Sequence, residues 1–227
     1  MPKQPTRFSP RPFSSRRGAL ALAVAAGVLG VPFCVLPQTP VSAAPEPAPV
    51  PVRWELEFEP GPLRIARVTE TDGSQAYYYY MTYKVTNLTD QDRLFAPLFD
   101  LKTEEGELLR AGRNVSAAAT RTILERLRNP LLEDPISIVG SLRQGEENAK
   151  FGIAIWPAQR LGVDEITVFA AGFSGESETY RARDAETGRY RDYVLRKTRM
   201  LRHAAPGDLD EMVDRPLQRI EERWVMR

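Results

Sequence analysis

Val52, Trp54, Leu56 and Phe58 alternate with Arg53, Glu55, Glu57 and Glu59. That period of two predicts a strand with one buried and one wet face. Pro60, Gly61 and Pro62 are expected to stop it, and Leu63 to Thr69 reads as a second strand before a turn at Thr71 to Ser74. Ala76 to Thr86 is a third, with Tyr77, Tyr79, Met81, Tyr83 and Val85 on the face expected inward. Another runs from Leu94 to Thr103, and Pro97 inside it implies an edge position or a bulge. Glu104, Glu105 and Gly106 form a hairpin tip leading into Glu107 to Arg110.

The period then changes. Ser116 can cap a helix over about 116–128, because Ala119, Ile123, Leu124 and Leu127 fall on one side and Asn129 with Pro130 ends it. Alternation returns at Ala149 to Trp156 and again at Glu165 to Phe173, both expected to be central strands. A long hairpin follows over about 179–202, whose second arm has no clean face, so a bulge near Val194 or Leu195 is expected. Leu209, Met212, Val213, Leu217 and Ile220 have helical spacing broken by Pro216, which predicts at most a short helical piece. Arg223 to Arg227 could then add an edge strand.

The N-terminus has a different character. Residues 1–43 carry Lys3, Arg7, Arg11, Arg16 and Arg17 with no acidic residue, and an uncharged run extends from Gly18 to Leu36. A basic region followed by an apolar one is the mark of a signal peptide, and Val41 and Ala43 fit a cleavage site before Ala44. The run is also long enough to remain as an uncleaved membrane anchor. Ser15, Arg16, Arg17 and Leu20 resemble the start of a twin-arginine export signal, although Ala19 stands where that signal usually carries phenylalanine. Cys34 is the only cysteine, and bulky Phe33 before it argues against lipid attachment. Residues 44–51 form a proline- and alanine-rich linker, expected to be an extended tether, and 52–227 a single β-sandwich domain.

Cleavage after Ala43 changes the charge balance. It removes five of the 31 basic residues and none of the 30 acidic ones, leaving 26 against 30 and a net charge near −4. Such a domain has no global electrostatic attraction for nucleic acid. It also has no thiol, hence no disulfide and no thiolate chemistry.

Tyr83-Lys-Val-Thr-Asn-Leu-Thr-Asp90, the run Phe99 to Glu107 and the turn Gly145 to Gly152 occur in that order. They resemble secreted bacterial immunoglobulin-like modules of the telokin-like type. The resemblance covers roughly 70 residues of strand and turn chemistry. It implies an all-β, immunoglobulin-like antiparallel sandwich, with the short helix and C-terminal extension as additions. It implies no catalytic residue.

Candidate chemistry is sparse. His203 is the only histidine and lacks a glycine-flanked serine to serve, so no catalytic residue is assigned and no enzyme is expected. One histidine without a thiol cannot hold zinc, and no cofactor is implied. Asp90 with Asp92, and Asp208 with Asp210 and Glu211, are carboxylate clusters without calcium-loop spacing, which reads as solvated turns.

Two surfaces invite a binding role. Tyr78, Tyr80 and Trp156 could stack on a sugar, unless a covering helix makes that second face part of the core. Arg181, Arg183, Arg189, Arg191, Arg196, Lys197, Arg199 and Arg202 form a basic stripe that could dock an acidic partner, polysaccharide or lipid head group, or simply solvate a long hairpin. The expected function is a bacterial, secreted or periplasmic, non-catalytic module for protein contact at the cell envelope. A carbohydrate-binding accessory domain is the alternative. The partner is thus an envelope protein or a glycan, and membrane contact follows only if the N-terminal segment stays uncleaved.

Overall fold

The computed structural model describes residues 45–227 apart from 160, 185, 186, 206, 208 and 209. The segment expected to be a signal peptide, the cleavage expected between Ala43 and Ala44, the arginine pair and Cys34 lie outside the described residues. So does Asp208.

The alternating N-terminal pattern produces strand β1, Glu57–Thr69, which pairs antiparallel with β2, Gln75–Thr86. Pro60, Gly61 and Pro62 do not stop β1. Gly61 and Pro62 together oppose Thr82, a bulge that absorbs one extra residue and lets the strand continue. Proline is tolerated because β1 is the edge of its sheet. Gly61 is required by closeness: a Cβ there would lie 2.5 Å from the Thr82 hydroxyl and 2.8 Å from its carbonyl oxygen.

Pro97 also has a structural consequence. It separates β3, Arg93–Phe95, from β4, Leu98–Thr103, and the two belong to different sheets. β3 pairs with β7, Gly140–Leu142, while β4 pairs with β5, Leu108–Arg110, and with β9, Glu165–Ala171. The strand expected over 94–103 is therefore a crossover between layers.

The first main sheet runs β1, β2, β8 (Lys150–Pro157), β6 (Leu132–Glu133), with β6 joining parallel. The second is built around β11, Tyr190–Ala204. β9 and then β10, Ser177–Arg183, run along one side of it, and β12, Gln218–Met226, runs along the other. β4 and β5 complete this six-stranded sheet. Leu63, Ile65, Tyr79, Met81 and Trp156 of the first sheet pack against Leu101, Ile166, Val168 and Leu201 of the second. The described residues form an all-β sandwich with one short α-helix.

That helix, α1, spans Ala117–Leu127. The Ser116 hydroxyl accepts a hydrogen bond from the Ala119 amide at 2.9 Å, which satisfies one of the unpaired N–H groups of the first turn. Arg128 ends it in the left-handed conformation, φ 50°. Ala119 and Ile123 close over Ala66, Val68, Tyr78, Tyr80, Ile153 and Ile155, so the outer face of the first sheet is a second, smaller core.

Among the described residues the C-terminal stretch, where at most a short helical piece is expected, forms none. Residues after Asp210 make turns, Pro216 bridges to Arg64 on the free side of β1, and β12 begins already at Gln218. The expected bulge at Val194 or Leu195 is absent, and the β10–β11 register runs unbroken from Ser177 opposite Arg196 to Arg183 opposite Tyr190. The irregularity falls instead between Arg202 and His203, against β12.

Candidate functional site

Tyr78 and Tyr80 are 5 % and 4 % exposed beneath α1, and Trp156 is fully buried. Stacking on a sugar needs an open ring face, and none of the three has one. Trp156 also lies opposite Tyr79, whereas Tyr80 lies opposite Ile155, so Trp156 points into the main core and away from the other two rings. The Tyr78 hydroxyl donates to Glu70 Oε1 at 2.6 Å, which satisfies its one polar atom. These residues are corrected from binding platform to core.

The basic stripe divides at Arg196. From Lys197 onward the odd-numbered side chains of β11 turn into the sandwich, where Leu201 joins the main core. Lys197 is 2 % exposed. Its ammonium lies 2.9 Å from Glu55 Oε2 and 3.2 Å from Glu176 Oε2, and 5.2 Å from the Trp224 ring centroid. Burial alone would lower its pKa, but the two carboxylates outweigh it and hold the group above its ordinary value.

Arg199, half-buried, donates to Glu222 Oε1 at 2.9 and 2.6 Å and also covers Trp224. Glu222 in turn accepts from Arg219 at 2.7 Å. Burial pushes the Glu222 carboxyl up, and the two guanidinium groups bring it below its usual value. The other Arg219 nitrogen reaches Pro60 O at 2.8 Å and Gly61 O at 3.1 Å, the carbonyls freed by the β1 bulge. This chain of charges ties the edge of one sheet to the edge of the other. Lys197 and Arg199 are therefore corrected from docking residues to internal ion pairs.

His203 belongs to the same seam. It is fully buried, and neither ring nitrogen has a hydrogen-bond partner of good geometry. Burial, aided by the nearby Arg219 charge, lowers its pKa to about 4, so the ring is neutral at ordinary pH.

The proline-rich segment is not a free tether where it meets the domain. The Ala48 amide donates to Glu176 Oε1 at 2.8 Å. Pro45 to Pro49, Pro51, Glu55, Lys197 and Trp224 line a surface cavity of about 550 Å³. An extended proline-rich chain has little conformational freedom to lose, which lowers the cost of seating it on a carboxylate already anchored by Lys197.

The other half of the stripe is wet. β10 and the first part of β11 form a two-stranded ribbon, with Arg181, Arg183, Arg189, Arg191 and Arg196 all exposed. Between them stand Tyr190, Tyr193 and Val194, at 68, 38 and 63 % exposure. The Arg181 guanidinium lies 5.5 Å from the Tyr190 ring centroid and 3.7 Å from Asp192. Arg191 lies 3.7 Å from Asp184. Exposed tyrosines among arginines are the composition of protein contact surfaces. The arginines were visible in the sequence, whereas the tyrosines and Val194 carried no signal of exposure.

The carboxylate clusters are used by the protein itself. Asp90 pairs with Arg93 at 3.1 Å, Asp92 accepts from the Gln144 amide at 3.1 Å, and Asp210 accepts from the Tyr77 hydroxyl at 2.6 Å. Among the described residues no group of three His, Cys, Asp or Glu is placed to hold a metal ion, and no helix is long and apolar enough to cross a membrane. No protein-family model, curated protein or solved structure matches the chain.

Proposed function

We propose that the chain is an exported, non-catalytic β-sandwich module that binds an acidic protein partner at the cell envelope through the β10–β11 ribbon. The observation that carries this reading is the concentration on one ribbon of exposed Tyr190, Tyr193 and Val194 among exposed Arg183, Arg189 and Arg191. Large apolar side chains clustered in water mark contact surfaces, where single ones do not. Arginine adds bidentate recognition of carboxylates. The buried seam gives the ribbon a rigid base.

Residues 1–43 would direct export, with cleavage after Ala43 and a twin-arginine route as the form the segment suggests. Kinship with telokin-like immunoglobulin modules is part of the same proposal. Asn87 of the Val-Thr-Asn turn supports it, since its buried side chain ties the turn together: Nδ2 donates to Gln91 O and Leu142 O, and Oδ1 accepts from Thr89.

The test is capture from an envelope extract of the host, comparing the natural chain with Arg189→Glu/Arg191→Glu. Loss of the captured protein at unchanged melting temperature is expected. An unchanged set of captured proteins would remove the ribbon as the interface. Reversal of Lys197 or Arg199 is unsuitable for this purpose, because those residues hold the fold.

A further inference from the structure

The backbone of the ribbon has a sidedness that its side chains do not reveal. Arg196 N donates to Arg227 O at 2.7 Å and Arg227 N returns the bond at 3.1 Å, both toward β12. Lys197 N instead donates to Glu176 O at 3.0 Å, on the β10 side, and Arg189 O accepts from Asp184 N at 2.8 Å, also on that side. Amide direction alternates along an extended strand. The N–H and C=O groups of Tyr190, Asp192 and Val194 therefore point the same way as those of Arg196, along the line that β12 occupies higher up.

Among the described residues nothing pairs with that stretch: β12 meets β11 from Lys197 onward, with Arg227 opposite Arg196. Residues Tyr190 to Val194 are exposed throughout. Both strands of the ribbon carry arginines, Arg181 and Arg183 on β10 and Arg191 on β11, but β11 also exposes Tyr190, Tyr193 and Val194, whose β propensity favours strand pairing.

We infer that the Tyr190 to Val194 edge of β11 accepts an extended acidic peptide segment of the partner as an added strand, continuing the line of β12. The inference rests on the ribbon being the docking element. Main-chain bonds to Tyr190, Asp192 and Val194 supply the attachment, and Arg189 and Arg191 on the same strand select glutamate- or aspartate-bearing strands.

The probe is a blocked heptapeptide alternating glutamate with valine, added to the full chain, with amide hydrogen exchange followed by NMR. Slowed exchange at Tyr190, Asp192 and Val194 is expected. The same peptide with lysine for glutamate, or with alternate backbone amides methylated, should give none. Val194→Pro removes an outward N–H without breaking the β10 ladder, and is expected to weaken the peptide about tenfold or more, while the Tyr193 and Leu195 amides stay protected.

Binding that perturbs the arginines without slowing the three amides would overturn strand addition and leave the ribbon reading intact. So would absence of peptide binding while Arg189→Glu/Arg191→Glu still abolishes envelope capture. Slowed exchange that rises with protein concentration without peptide would assign the edge to a second copy, which also overturns the proposal. If envelope capture itself survives the charge reversal, the ribbon reading fails and the strand-addition proposal with it.

Discussion

Strand β11 is one continuous strand with two environments. Its outer part, Tyr190 to Arg196, carries its arginines into water beside exposed tyrosines. Its inner part, Lys197 to Ala204, carries equally basic residues into the sandwich, where Glu55, Glu176 and Glu222 neutralise them. A basic residue's role along this strand is decided by what the neighbouring strands bring opposite it.

The sharpest way to break that contrast is to remove one charge from each part. Lys197→Met leaves buried Glu176 and half-buried Glu55 without their cation, and should cost about 3 kcal/mol in denaturant unfolding. Arg191→Met should change stability by less than about 0.5 kcal/mol. Equal losses would erase the distinction. Replacing Glu55 and Glu176 by glutamine in the Lys197→Met background should recover part of the loss, because the uncompensated charges are then gone.

A second effect belongs to the inner part alone. The His203 pKa is about 4 in the fold, against 6.5 when unperturbed, so the unfolded chain takes up the proton first. The stability due to a neutral ring is complete above pH 6.5 and falls as the pH drops toward 4, by about 3 kcal/mol in total. Glu222 and Asp100, whose pKa values are lowered from about 4.5 and 3.8, begin to contribute only at the acidic end of that window. Unfolding curves between pH 6.5 and 5 should therefore be flattened by His203→Gln and untouched by Arg191→Met. A wild-type curve already flat there would contradict the buried neutral ring.

The smallest effect is a change in binding with none in stability. Tyr190→Ala and Val194→Ala should leave melting within about 1 °C, since exposed residues away from caps and turns contribute little. Under the proposed function, both should reduce capture of the protein taken from the envelope extract. A lowered melting temperature would place these side chains in the scaffold.

Much of the scaffold was legible because local and global preferences agree in it. Ser116 caps and Ala119 and Ile123 repeat at helical spacing, so α1 was readable to within a residue at each end. The same helix explains why Tyr78 and Tyr80 misled: alternation says which residues share a face, not what lies on it. Pro60 to Pro62 read as a stop because a bulge on an edge strand and a true turn use the same residues. β11 showed no clean face because half of it is a ribbon wet on both sides and half buries charges.

Val213 and Leu217 have helical spacing with their neighbours, yet they reach β1 from turns, and Leu217 N donates to Leu63 O at 2.8 Å. The seam itself was beyond reach of the sequence. Glu55, Glu176, Lys197 and Trp224 come from four separate segments, and nothing in the spacing of any one of them refers to the others. Burial of a lysine is against its ordinary preference, and only assembled partners make it possible.

Amide hydrogen exchange along β11 tests the division most directly. Thr198, Met200 and Arg202, whose amides face β12, should exchange only on opening of the sandwich. Tyr190, Asp192 and Val194, facing the same way with nothing opposite among the described residues, should exchange almost as fast as an unfolded chain. Protection at those three equal to that at Thr198 to Arg202 would mean the edge is already covered, and would contradict both the open ribbon and the binding role assigned to it.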